Sequence, residues 1–166
     1  VFYIGIDPGK KGAIVVITRG KIVHKEIMPL IGGDEVNYRK ISSTLLKLKT
    51  KGTCHIVTEK FAGFFGYSKS AAISIGSQVA VIRAIGSLLG IPVTSVIPKT
   101  WQGVICLGTK MYLKKDGRKD NKKIALITAS RLFPEETFLA STRSKVPHDG
   151  YIDAALIALY GYKKGL

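Results

Sequence analysis

The first seven residues constrain the fold most. Phe2-Tyr3-Ile4-Gly5-Ile6-Asp7 is an apolar run of strand length that ends on a single carboxylate, and the turn Pro8-Gly9-Lys10-Lys11-Gly12 follows it directly. A carboxylate in such company is costly unless it is paired or holds a metal. The competing reading is that Asp7 simply opens a Pro-Gly turn. Ala13 to Thr18 resumes a β-branched run, Arg19-Gly20-Lys21 is a second tight turn, and Ile22 to Met28 alternates as a strand, so the opening reads as a three-stranded antiparallel meander. His24, taken to have no carboxylate nearby in sequence, reads as a plain surface histidine.

Pro29 to Asn37 reads as loop. Tyr38, Ile41, Leu45, Leu46 and Leu48 then mark one face of a helix whose other face carries Arg39, Lys40, Lys47 and Lys49, ending near Lys51-Gly52. Cys54 to Glu59 is a short apolar strand that again finishes in an acid, and its place after a helix suits a parallel crossover beside the first strand. Glu59 thus repeats the pattern of Asp7.

The next ten residues set Phe61, Phe64, Phe65 and Tyr67 among glycines between Lys60 and Lys69. Such aromatics either fold back into the core or stack on bases, and the neighbouring carboxylate and lysines favour bases. Ala71 to Leu89 is a helix rich in small residues, which permits another helix to approach closely, within the fold or across a dimer interface. Ile91 to Ile97 is a further strand. Pro98-Lys99-Thr100-Trp101 begins the next helical turn, with Trp101 as a core anchor.

Basic residues dominate the stretch from Lys110 to Lys123, including Lys114, Lys115, Arg118, Lys119 and Lys122, and Arg143 and Lys145 lie in a polar loop. Ile124 to Phe133 reads as the end of a helix stopped by Pro134, followed by the surface acids Glu135 and Glu136. The closing segment, His148 to Gly161, is a helix that is strongly apolar after Asp153, and Asp149 and Asp153 share one face of it at i, i+4. Capping explains an acid at Asp149. It explains Asp153 less well.

The balance of 26 Lys and Arg against 11 Asp and Glu gives a net charge of +15, which implies a polyanionic partner, most often nucleic acid. No uninterrupted apolar run approaches the roughly 20 residues that span a bilayer, so no membrane association is expected. A chain of 166 residues is the size of one domain, here residues 1–166. Cys54 and Cys106 match no metal-ligand spacing and fit a reducing compartment. A start at Val1 is compatible with a removed initiator Met or targeting segment.

Four acids, Asp7, Glu59, Asp149 and Asp153, therefore stand at two strand ends and one helix start in a chain that otherwise keeps acid out of its apolar segments. Hard divalent cations take such oxygen ligands. A two-ion site, with Mg²⁺ or a substituting Mn²⁺, is the usual device for metal-assisted phosphodiester chemistry.

Taken in order, Ile4-Gly5-Ile6-Asp7-Pro8-Gly9 with Gly12, Val57-Thr58-Glu59, Ser70 to Gln78, Pro98-Lys99-Thr100-Trp101 and Asp153-Ala154-Ala155-Leu156-Ile157-Ala158 resemble the RuvC-like Holliday junction resolvases of the ribonuclease H-like superfamily, in a phage, bacterial or plant chloroplast type of branch. The resemblance implies an α/β, ribonuclease H-like fold: a mixed five-stranded sheet, an antiparallel three-strand meander plus parallel strands, flanked by helices. It implies Asp7, Glu59 and Asp153 as ligands. The remaining acid commonly lies three residues before the last Asp, where this chain has Gly150; Asp149 is preferred for that role, with His148 as the alternative. A basic residue near the cleaved phosphate corresponds to Lys119 or Lys122, with Lys122 in the better register. Phe61 leads, before Phe64 and Phe65, as the wedge in the junction centre.

The expected activity is Mg²⁺-dependent cleavage of four-way DNA by a homodimer making paired nicks, in a prokaryotic or phage-infected cytoplasm and nucleoid or, after processing, an organelle. The expected DNA-contacting set is Lys10, Lys11, Lys60, Phe61, Phe64, Phe65, Lys69, Lys114, Lys115, Arg118, Lys119, Lys122, Lys123, Arg143 and Lys145. Three other readings remain: a nuclease for flaps or other branched nucleic acid, a silent nucleic-acid-binding module, and an actin-like sugar kinase or ATPase. The last needs a second phosphate-binding glycine loop that this chain lacks.

Overall fold

The computed structural model describes residues 1–60 and 68–166. In chain order these residues form β1 (Phe2–Asp7), β2 (Ala13–Thr18), β3 (Lys21–Ile27), β4 (Leu30–Ile31), β5 (Glu35–Val36), α1 (Tyr38–Lys49), β6 (Cys54–Glu59), α2 (Lys69–Leu88), β7 (Val93–Val96), α3 (Pro98–Ile105), α4 (Asn121–Leu132) and α5 (Asp149–Lys164). The main sheet has the order β3-β2-β1-β6-β7. Its first half is the antiparallel meander; β6 runs parallel to β1 with Ile6 beside Thr58, and β7 runs parallel to β6.

Both faces of this sheet are covered, which is why its central strands read as unbroken apolar runs rather than alternating ones. On β2, Ala13, Val15 and Ile17 pack into a core shared with α3, α4 and α5, while Ile14 and Val16 pack into a second core under α1 and α2. The period of two therefore assigns every strand residue to one helical layer or the other. Asn37 caps α1 by accepting a hydrogen bond from the Lys40 amide at 2.9 Å. Gly165, left-handed at φ 62°, ends α5.

Several sequence expectations need correction. Pro29 to Asn37 is not simply loop: Leu30–Ile31 and Glu35–Val36 pair as a short hairpin. His24 is not isolated, since Glu26, two residues along on the same face of β3, has Oε2 3.6 Å from its Nε2. Glu136 is tied to Lys25 Nζ at 2.7 Å, joining β3 to the segment after α4. By length and composition α2 is apolar enough to cross a bilayer; here it lies along the sheet with Val79, Ile82, Ile85 and Gly86 buried. Both cysteines are free, Cys54 buried and Cys106 partly exposed.

Candidate metal and nucleic-acid site

The carboxylates meet because of strand parity and one close helix contact. Gly5 faces α5 so tightly that a Cβ on it would lie 2.0 Å from the Ala154 carbonyl oxygen. Asp7, two residues further along β1, emerges on that same face at the strand's end. Glu59 ends the neighbouring parallel strand on the side of Val57, which belongs to the α5 core. Asp153 and Asp149 lie in the first two turns of α5, laid across both strand ends.

Their electrostatics show one coupled group. Burial first, and then the charges of Asp153, Glu59 and Asp149, hold the Asp7 carboxyl well above its ordinary range. Burial, with Glu59 and Asp149 adding and Lys122 opposing, pushes Asp153 up to about 7. Burial also raises Glu59, against the hydrogen bond it accepts from Trp101. Among the described residues no three His, Cys, Asp or Glu side chains stand together in ligating geometry. The donor set fits a hard cation: acid oxygens only, burial that disfavours unpaired charge, and mutual repulsion that a cation would relieve.

That repulsion predicts a pH-dependent stability. A carboxyl whose pKa is higher in the folded than in the unfolded state weakens the fold as pH rises, because the unfolded chain loses its proton first. For Asp153 the window runs from 3.8 to about 7, and completing it costs on the order of 4 kcal/mol. The metal-free protein should therefore lose melting temperature across that window relative to Asp153→Asn, and Mg²⁺ should restore it at pH 8. Parallel profiles for the two proteins would contradict this.

The acid of α5 stands at 149 rather than 150 for a steric reason. A Cβ on Gly150 would lie 2.6 Å from the Lys11 carbonyl oxygen and 2.8–2.9 Å from Gly12 backbone carbons, so the β1–β2 turn is packed directly on the helix. A double variant, Asp149→Gly with Gly150→Asp, should lose about 2 kcal/mol or more in thermal denaturation. Wild-type stability in that variant would refute the packing argument. His148 is otherwise engaged: its Nδ1 accepts the Tyr151 amide at 3.3 Å as the α5 cap. Lys122, in the first turn of α4, places Nζ 2.5 Å from Asp149 Oδ2, and this contact raises its pKa. Lys119 instead lies opposite Leu113 in the turn before α4.

Of the expected DNA contacts, Lys10 and Lys11 sit exposed beside Asp7, Lys10 paired with Asp34 of the β4–β5 turn. Lys60 follows Glu59 and Lys69 opens α2, both exposed. Lys114, Lys115, Arg118 and Lys119 crown the exposed turn leading to α4, where Arg118 pairs with Asp116 at 2.6 Å. Lys123 lies over the Tyr112 ring at 4.5 Å. Arg143 and Lys145 are exposed on the loop before α5. Phe61, Phe64 and Phe65 lie outside the described residues.

Sequence reasoning missed one contact: Trp101 Nε1 donates a hydrogen bond to Glu59 Oε1 at 2.8 Å. The parallel pairing of Glu59 with Val96, just before Pro98 opens α3, was the available signal. Lys122, Ala125, Asp149, Ile152 and Asp153 line a slot of about 10 Å³.

No family model matches the sequence, and no curated protein matches it. The structure is similar to that of Thermus thermophilus RuvC in complex with Holliday junction substrate, at TM-score 0.62 and 17% identity over 98% of this chain and 93% of that one. It is equally similar to a second Thermus thermophilus RuvC structure, at TM-score 0.62 and 16% identity over 99% and 97%. This chain is built on the RuvC-type, ribonuclease H-like α/β fold.

Proposed function

We propose that the protein is a metal-dependent endonuclease of RuvC type that resolves four-way DNA junctions as a homodimer. One observation carries the reading: β1, β6 and α5 bring four acids to one end of the sheet in a chain of net charge +15. The likeness to a RuvC bound to a Holliday junction supports the substrate class. The net charge of +15 supports a polyanionic, polymeric substrate.

Asp7, Glu59, Asp153 and Asp149 would hold Mg²⁺. When bound, the cation supplies charge neutralisation at the phosphate and a more acidic water. Lys122, once its partner Asp149 turns to ligation, is free to meet the scissile phosphate. The lysines around the site hold the backbone, so binding should weaken steeply with salt. The exposed face of α2, with Ile73, Ser77, Ala80, Ala84 and Leu88, supports a two-fold pairing matched to a two-fold substrate.

The test is incubation with labelled four-way, three-way, flap and linear duplex DNA, with and without Mg²⁺. Paired, metal-dependent nicks on the four-way substrate are expected. Preference for flaps would keep the chemistry and change the substrate; binding without any cleavage in Mg²⁺ or Mn²⁺ would leave a silent module.

A further inference from the structure

Trp101 is fully buried in the core beneath α5, on a helix whose first residue is Pro98. An indole has one hydrogen-bond donor and no acceptor. Here that donor goes to Glu59 Oε1, and among the described residues it is the one hydrogen bond to this carboxylate. We propose that Trp101 is a positioning residue: it fixes the Glu59 carboxylate by one oxygen and leaves Oε2 directed to a divalent cation. The inference rests on the metal-dependent reading above and adds a residue to it.

The physical case is one of restraint. Glu59 is the last residue of β6, and its side chain has several rotatable bonds that ligation would otherwise have to freeze. The indole is held rigidly by the packing around it, so it fixes the carboxylate before any cation arrives. Partners that orient metal ligands in this way are typically worth 10–100-fold in metal affinity. The bond also favours the ionised carboxylate against its burial.

The experiment exploits a compositional fact: Trp101 is the only tryptophan in the chain. Replacing tryptophan throughout the protein by β-(3-benzothienyl)alanine therefore alters this position alone, keeping the ring's shape and deleting its N–H. Trp101→Phe deletes the same donor by a conventional route. Mn²⁺ affinity, read by electron paramagnetic resonance of the free ion without DNA, should fall about tenfold or more in both proteins, while melting temperature in the metal-free analogue protein stays near wild type. In wild-type protein, saturation with Mg²⁺ should alter the single indole emission, and Glu59→Gln should blunt that change. Unchanged Mn²⁺ affinity in the benzothienyl protein would overturn the positioning role while leaving the metal site intact. Absence of Mn²⁺ binding by the wild type would overturn both.

Discussion

Asp7→Asn is expected to abolish junction cleavage, by about a thousandfold or more, while junction binding persists or tightens. A thousandfold corresponds to roughly 4 kcal/mol of lost transition-state stabilisation, within what a metal centre supplies. Binding survives because it depends on lysines, and removing one negative charge from a site that faces phosphate can only help it. The same substitution should raise the melting temperature of the metal-free protein at pH 8. Burial first, and then three neighbouring acids, hold the Asp7 carboxyl above the ordinary range, and an amide carries no charge to desolvate. Activity loss coupled to a stability gain separates a ligand from a structural residue, whose removal would lower both. Mg²⁺-dependent nicking retained by Asp7→Asn would end the assignment.

Gly5→Ala should be the most damaging single-methyl substitution in the sheet. Its new Cβ would lie 2.0 Å from the Ala154 carbonyl oxygen and 2.6 Å from the Ala158 amide nitrogen, both backbone atoms that cannot rotate away. Either β1 or α5 must move, and both carry candidate ligands. Overpacking usually costs about 1–3 kcal/mol; a clash with backbone at the centre of two cores belongs at or beyond the top of that range. A melting temperature lower by about 10 °C, or failure to recover soluble protein, is the expected result. A variant as stable as the wild type would show that the seam between β1 and α5 is softer than it looks.

The sheet was largely legible because burial on both faces writes strands as apolar runs, and Asp7 and Glu59 stood out because they end such runs. What the sequence could not convey is contact across distance. Trp101 and Glu59 are 42 residues apart, and nothing local distinguishes an indole that fills a core from one that also holds a carboxylate. That position 150 carries no acid follows from the wall formed by Lys11 and Gly12, visible only once the turn is seen packed on α5. Lys122 keeps the better helical register, whereas its contact with Asp149 across 27 residues carries no local signal. The β4–β5 hairpin escaped because two-residue strands carry no periodicity.

The parallel half of the sheet has a consequence in time. β1 cannot find β6 until some fifty residues have been made, and the helix bearing Asp149 and Asp153 follows every other element described here. Contacts so distant in sequence form late in folding. On the proposed reading, the emerging chain would carry its lysines without a complete set of ligands and would meet nucleic acid before it could cut it. On that reading, nuclease competence would arrive only once α5 docks on β1 and β6, a property of the assembled fold rather than of the growing chain.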